Sequence, residues 1–189
     1  MTAHRFRSAS TIRFGTGFRA RALIAGMAFG LVGHALTAQS TAPPAPKCDA
    51  PEYRQLDFWV GDWDVTMHGQ PAGANLVTLE EGGCLVHEHW TGNGGGTGQS
   101  FNFFDRDDGA WHQVWVSNTG SILDLSGHYA DGTLTYLGEN RRRDGTRLRH
   151  RLSFHANGDG TVRQLWETSS DNGATWAVAF DGHYTKRKG

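Results

Sequence analysis

Apolar and polar residues alternate along the chain from Leu56 onward, and this alternation predicts β-strands. No window of eleven residues in this part shows an apolar stripe at helical spacing, so the only helical turn expected lies at 52–56. The pattern predicts ten strands, at 58–68, 74–81, 84–91, 98–105, 111–118, 121–129, 132–139, 146–155, 161–169 and 175–186.

Turn dipeptides separate these strands and predict consecutive hairpins. Asp-Gly and Asn-Gly favour tight hairpins because both central residues take a positive φ. Such pairs separate predicted strands at 108–109, 131–132, 144–145, 159–160 and 172–173, and a further turn is expected at 118–120. We therefore predict an all-β fold, an antiparallel up-and-down barrel of about ten strands, because closure leaves no exposed sheet edge. A two-sheet β-sandwich is the alternative.

The first 38 residues have the composition of a secretory signal peptide. They hold five arginines and no acidic residue, and 22–38 contains no Lys, Arg, Asp or Glu. The alternative is a single membrane anchor, but this run of 17 residues is shorter than the roughly 20 that span a bilayer. We therefore expect three regions: a signal peptide (1–38), a Pro- and Ala-rich tether (39–55) and a barrel domain (56–189). The mature protein would be periplasmic or secreted, with no membrane span after cleavage.

Removal of the signal peptide changes the charge and leaves both cysteines. Without its five arginines, the remaining chain has 13 basic and 19 acidic residues, a net charge of −6. An acidic domain is a poor partner for nucleic acid, whose phosphates require a basic surface. In an oxidising compartment a lone cysteine pair is more often a disulfide than a metal or redox site, so we predict a Cys48–Cys84 bridge.

The segment LDFWVGDWDV (56–65) contains Gly61-Asp62-Trp63, and a Gly-x-Trp at the start of a first strand resembles the lipocalin and calycin signature. Further similar segments are GGC, EHWTG, SFNFFDRDDGAWHQVW and VRQLWETSSDNGATWAVAFDGHY. Together they resemble a family of exported bacterial proteins with a lipocalin-like domain. The resemblance implies that Trp63 closes one end of a barrel, and it implies no particular activity.

Several strands carry tryptophan on one face, and these faces predict a ligand cavity. Because strand residues alternate between faces, each Trp identifies the residues that point the same way. The candidate ligand-binding residues are Trp63, Glu88, Trp90, Gln113, Trp115, Gln164 and Trp166, joined by Arg149 and Arg151 as counter-charges. Indoles with a few polar groups are typical of a pocket for a small, partly apolar molecule. A filled core with outward-facing arginines is the alternative.

Other motifs point to structure rather than chemistry. Residues 169–176 fit the Asp-box hairpin of propellers, but one copy cannot make a propeller, so we interpret the motif as a packed hairpin tip. The glycine run 92–98 is interpreted as a loop at the barrel rim. His87 and His89 share the face opposite the tryptophans and no nearby ligand completes a zinc set, so no metal site and no cofactor are predicted.

Three functions remain open on the sequence. The first is an exported barrel that binds a small molecule in an aromatic cavity. The second is an enzyme that uses Glu88 and the nearby arginines in the same cavity, where a buried carboxylate beside a guanidinium acts as a base or holds an anion. The third is an envelope interaction module without a cavity.

Overall fold

The computed structural model describes residues 48–188. The predicted signal peptide (1–38) and the first part of the predicted tether (39–47) lie outside the described residues. Within residues 48–188, no helix has the length and hydropathy needed to cross a membrane.

Ten antiparallel strands form a closed barrel, as the sequence predicts. Each strand pairs with its neighbours in sequence, and β10 returns to pair with β1, so every strand has two partners. The strands are β1 (Gly61–Met67), β2 (Gln70–Glu80), β3 (Leu85–Gly92), β4 (Thr97–Asp105), β5 (Ala110–Ser117), β6 (Ile122–Ala130), β7 (Thr133–Arg141), β8 (Arg147–Ala156), β9 (Val162–Ser169) and β10 (Ala177–Lys186). The two-sheet alternative is wrong.

The hairpin turns follow the Gly-containing dipeptides. Both residues of 131–132 and of 172–173 have a positive φ, as expected, whereas at 108–109, 144–145 and 159–160 only the glycine does. Those three turns lie in longer connections that need only one left-handed residue. One turn of the same kind was not predicted: His68 (φ 51°) and Gly69 (φ 74°) join β1 to β2.

The first strand begins later than predicted. Residues 57–59 belong instead to the segment 48–60, which covers one end of the barrel and which we call the lid segment. Short 3-10 helices run over Pro51–Arg54 and Asp57–Trp59, and β1 starts only at Gly61. Leu56 and Trp59 are fully buried beneath the barrel, and the ring of Trp59 lies 4.4 Å from that of Phe154. The apolar residues at 56–59 are therefore buried by a 3-10 turn across the end of the barrel and not by a strand.

We call the end covered by residues 48–60 the closed end, and the opposite end, which carries the connections at 93–96, 118–121, 142–146 and 170–176, the open end. Trp63 is fully buried towards the closed end, and its Nε1 donates a 2.8 Å hydrogen bond to the carbonyl oxygen of Trp59. The role that the resemblance implied for Trp63 thus agrees with its position.

The Cys48–Cys84 disulfide is present, as predicted. It ties the lid segment to the connection between β2 and β3, at a sequence separation of 36. Residues within the predicted tether also pack here: the Nε1 atom of Trp111 donates a 3.0 Å hydrogen bond to Gln55 Oε1, and the rings of Tyr53 and Phe104 are 5.3 Å apart. The closed end is therefore sealed by side chains and fixed covalently.

The Asp-box segment forms the tip of the β9–β10 hairpin. Asp171 accepts hydrogen bonds from the Thr175 backbone N–H (2.9 Å) and from the Ser169 hydroxyl (2.7 Å). Hydrogen bonds from the Thr175 hydroxyl, the Thr175 backbone N–H and the Ser169 hydroxyl hold the pKa of the Asp171 carboxyl well below its ordinary value. Trp176 packs under the guanidinium of Arg151, whose carbon lies 4.3 Å from the ring centre. The motif thus stabilises a turn.

Candidate functional site

The tryptophan-bearing faces of four strands point into the barrel, as the alternation predicts. Trp63 (β1) and Trp111 (β5) are buried in the core. Trp90, Trp115 and Trp166 lie nearer the open end, where they border a cavity. The barrel is therefore packed solid at its closed end and hollow at its open end.

The cavity has a volume of about 190 Å³. Its wall is aromatic and aliphatic, and its deeper part is polar. The lining side chains are those of Glu88, Trp90, Gln113, Trp115, Leu123, Leu152, Gln164, Trp166, Ala179, Phe180 and Tyr184. The site thus unites six of the nine predicted residues.

Glycines on the neighbouring strands make room for the aromatic wall. A Cβ atom at Gly98 would lie 2.2 Å from Cζ2 of Trp115, and one at Gly73 would lie 2.7 Å from Cη2 of Trp90. Any side chain at these positions would displace an indole, since Cβ contacts under 3.0 Å are essentially never seen. The glycines therefore decide where the rings sit.

His150 holds the third indole of the wall. Its Nδ1 atom accepts a 3.1 Å hydrogen bond from Nε1 of Trp166, and the two rings stack at 28° with their centres 5.8 Å apart. Burial lowers the pKa of His150, so the ring is neutral and Nδ1 is free to accept. This contact fixes the orientation of Trp166 from the adjacent strand.

Glu88 lies at the polar floor of the cavity, deeper than Trp90 on the same strand. Its Oε1 accepts a 2.8 Å hydrogen bond from Asn75 Nδ2, and its Oε2 accepts one of 2.6 Å from the Ser100 hydroxyl. Asn102 extends the network, donating to Ser100 Oγ (2.9 Å) and accepting from Gln113 Nε2 (2.9 Å) at its own Oδ1. These groups form a continuous buried network across β2, β3, β4 and β5.

Burial raises the pKa of Glu88 to about 7, and the hydrogen bonds from Ser100 and Asn75 limit the rise. The carboxyl group therefore exchanges its proton near neutral pH. Burial also raises the pKa values of Tyr136 and Tyr184 well above the ordinary value, so both phenols stay protonated and act as donors.

Two glutamine carboxamides leave hydrogen-bonding atoms for a ligand. Gln113 uses Nε2 to reach Asn102, and its Oε1 makes no hydrogen bond within the described residues. Gln164 Oε1 accepts a hydrogen bond from the Tyr184 hydroxyl, while its Nε2 makes none within the described part of the chain. The floor therefore offers one acceptor and one donor beside the Glu88 carboxyl group.

The two arginines predicted for the cavity lie on the outer wall instead. Arg151 pairs with Glu167 (Nε–Oε2 2.8 Å), and Arg149 donates a 3.0 Å hydrogen bond to the carbonyl oxygen of Asn172. The binary pattern of β8 explains the error, since Leu148, His150, Leu152 and Phe154 form its apolar face and the arginines alternate with them. The prediction that Trp63 binds the ligand is also wrong. Its side chain points inward but is buried between the cavity and the closed end, and it does not line the cavity.

The contribution of β10 to the cavity was not predicted. Phe180, Gly182 and Tyr184 occupy alternate positions of β10 and lie on its inward face, and this alternation was visible in the sequence. Ala179 reaches the cavity because the pairing of β9 and β10 shifts by one residue between Val178 and Phe180. A bulge of this kind is set by pairing and leaves no clear sequence signal.

Nitrogen and oxygen donors that are close enough to share a metal ion occur outside the cavity in two groups. One consists of Glu80, His87 and His89, and the other of Asp105, Asp108 and His112. The cavity lining itself contains neither His nor Cys among the described residues. A metal inside the cavity would thus have Glu88 as its single charged ligand.

Fold and site together define a closed ten-stranded β-barrel with one lidded end and an aromatic cavity at the other. Comparison of the sequence with protein-family models and with curated proteins found no match.

Proposed function

We propose that this protein is an exported binding protein that holds a small, partly apolar organic molecule in the barrel cavity. The observation that carries the proposal is the division of the cavity into an aromatic wall and a polar floor. Trp90, Trp115, Trp166 and Phe180 supply the wall, and Glu88 lies at the floor. Cavities that bind small molecules combine such apolar walls with a few converging polar groups.

The polar floor favours a ligand with one hydrogen-bonding end. Gln113 Oε1 accepts, Gln164 Nε2 donates, and the Glu88 carboxyl group does either according to its protonation. The volume of about 190 Å³ is below the 300–1,000 Å³ common for drug-sized ligands, which favours a molecule of one or two rings. An alcohol, amide or amine on an aromatic or alicyclic frame fits this description.

The charge of the lining argues against organic acids. None of the described residues that line the cavity is Lys, Arg or His, and the acid Glu88 lies at its floor. An anionic ligand would be desolvated there without a counter-charge, at a cost of several kcal/mol. The enzyme hypothesis that paired Glu88 with Arg149 and Arg151 loses its support, because both arginines lie outside the barrel.

Binding is tested by titrating intrinsic tryptophan fluorescence with phenethyl alcohol and related one-ring compounds. Three of the seven tryptophans border the cavity, so an occupied cavity should change the emission. Trp115→Phe, which removes one of these three indoles, should reduce the change. The matched control is Trp176→Phe, because Trp176 packs under Arg151 on the outside. Absence of any saturable response across such compounds would contradict the proposal.

Export is part of the same proposal. The basic and apolar composition of residues 1–38, the disulfide and the resemblance to exported lipocalin-like proteins support it. Mass spectrometry of the protein recovered from the periplasm or medium should show a chain that begins after Ala38. Recovery of the full-length chain would contradict cleavage.

A further inference from the structure

A second candidate site lies on the outer wall, where β2, β3 and β4 pair. His87 and His89 are two residues apart on β3 and share the outward face, opposite Glu88. On β2, Thr78 pairs with His87, so Glu80 lies two residues further along the same face, diagonal to His87. Strand register, rather than sequence proximity, brings this carboxylate to the two imidazoles.

The three side chains converge at distances suited to one metal ion. Nε2 of His89 lies 3.2 Å from Nδ1 of His87, and both Oε atoms of Glu80 lie 3.3 Å from that same Nδ1. All three donor atoms lie within 4.8 Å of one another. In a tetrahedral site with bonds of about 2.0–2.1 Å, neighbouring donors are roughly 3.3–3.4 Å apart.

The ring nitrogens and the carboxylate face one another across a small space. Nε2 of His87 lies 3.0 Å from Oε1 of Gln99, so Nδ1 is the His87 nitrogen that faces the Glu80 carboxylate and Nε2 of His89. A carboxylate and two neutral imidazoles would all direct lone pairs at a divalent cation placed among them.

Outer contacts hold two of the three groups in place. Thr78 Oγ1 donates a 2.6 Å hydrogen bond to Glu80 Oε1, and Nε2 of His87 lies 3.0 Å from Gln99 Oε1. The ring of Phe101 packs 4.7 Å from that of His87. Metal-ligating histidines commonly donate their second ring N–H to an oxygen acceptor, and Gln99 Oε1 is in position to accept that hydrogen bond from His87.

We propose that Glu80, His87 and His89 bind one divalent transition-metal ion, with zinc as the expected occupant and a fourth position open to water. Two imidazoles and one carboxylate suit zinc and its neighbours better than calcium or magnesium, which prefer oxygen ligands alone. The side chains of His87 and Glu80 are 12% and 41% exposed, so an ion would reach them from solvent.

The second group in the described part of the chain, Asp105, Asp108 and His112, is not proposed as a metal site. Asp105 Oδ1 accepts from the backbone N–H of Asp107, and Asp108 Oδ1 accepts from that of Ala110. The remaining Asp108 Oδ2 is paired with His112 Nε2 at 2.9 Å. This group consists of turn-capping carboxylates and a carboxylate–imidazole hydrogen bond, so its oxygen atoms already have partners.

The proposal is tested by calorimetric titration of the untagged protein with zinc chloride at about pH 7.5, after EDTA treatment and dialysis. One ion should bind per chain. His89→Gln and Glu80→Gln should each weaken binding at least tenfold. The matched control is His183→Gln, which removes an exposed imidazole from the outer wall of β10 and should leave the affinity unchanged.

Cobalt binding to the wild-type protein gives a second measurement that needs no variant. Three protein ligands and one water should give the intense visible absorption of four-coordinate cobalt, and zinc should abolish it by competition. Binding of no zinc, equal binding by wild type and His89→Gln, or a weak six-coordinate cobalt spectrum would overturn the proposal. Melting curves of the metal-free His89→Gln and Glu80→Gln variants should match the wild type, because both side chains lie on the outer wall of the barrel.

Discussion

Ser100 lies directly across from Glu88 in the β3–β4 ladder, and its hydroxyl donates a 2.6 Å hydrogen bond to Glu88 Oε2. Asn75 approaches the same carboxyl group from β2 and bonds to Oε1. Both neighbouring strands thus contribute a donor, Ser100 from the position opposite Glu88 and Asn75 from the position opposite Trp90. These contacts orient the carboxyl group, and burial still raises its pKa to about 7.

Glu88 should make the protein less stable as the pH rises from about 4.5 to about 7. The folded protein retains this proton up to its raised pKa, whereas the unfolded chain releases it near 4.5. The loss has an upper bound on the order of 3 kcal/mol and is complete above about pH 7. Glu88→Gln should remove this contribution, so the variant should gain stability relative to wild type between pH 5 and pH 8.

Denaturant unfolding at pH 5 and at pH 8 measures the contribution of Glu88 as a difference in free energy of unfolding between variant and wild type. The difference is needed because His150, whose pKa is lowered, contributes in the opposite direction as its unfolded form titrates near 6.5. Glu52→Gln, at an exposed carboxyl group, is the control and should behave as wild type at both pH values. EDTA in the buffer keeps metal binding out of the measurement. An equal pH response of Glu88→Gln and wild type would refute the assignment.

Gly98→Ala should reduce the size of the cavity and weaken ligand binding. Its Cβ would lie 2.2 Å from Trp115 Cζ2, so the indole must move. We expect a loss of about 1–3 kcal/mol in the free energy of unfolding and at least tenfold weaker binding of phenethyl alcohol. Gly94→Ala is the matched control, since its Cβ meets no atom within 4 Å. Thermal unfolding measures the stability of both variants, and fluorescence titration measures their affinity for phenethyl alcohol. Equal affinity of Gly98→Ala and Gly94→Ala would contradict the prediction.

The charge of the ligand should matter more than its ring. Phenethyl alcohol and phenethylamine should bind, whereas phenylacetate, with the same ring and a negative charge, should bind at least tenfold more weakly, a difference of about 1.4 kcal/mol. The Arg149→Gln and Arg151→Gln variants should show the same order, since both arginines lie on the outer wall. Preferential binding of phenylacetate that is lost in Arg151→Gln would instead indicate that this arginine contacts the ligand inside the cavity, and it would contradict the prediction.

Loss of the disulfide should destabilise the protein without changing the cavity. For a loop of 36 residues the chain-entropy model gives about 3–4 kcal/mol. Replacement of Cys48 and Cys84 by serine should lower the free energy of unfolding by this amount in oxidising buffer. The reduced wild-type protein should have the same free energy of unfolding as the double variant. If the double variant is less stable than the reduced wild type, that part of the loss comes from the serine side chains and not from the missing bridge. Binding of phenethyl alcohol should be retained, because the bridge lies at the closed end.

Much of the fold follows from local sequence rules. A period of two places Trp90, Trp115 and Trp166 on inward faces, because successive side chains of a strand point in opposite directions. Gly-containing turns set the strand count, since they provide the left-handed residues that hairpins require. The same rule was available for β8, where the apolar alternation excludes Arg149 and Arg151 from the interior.

The sequence by itself therefore determined the number of strands, the inward faces of the Trp-bearing strands and the disulfide, because these depend on turn chemistry, residue period and cysteine count. Tertiary structure alone decided which inward residues share a height in the barrel, so that Glu88 lies at the cavity floor and Trp63 lies below it. It also decided the β10 bulge at Ala179 and the approach of Glu80 to His87. The physical reason is that height and cross-strand contacts depend on the register of pairing around the closed ring, which no single strand encodes.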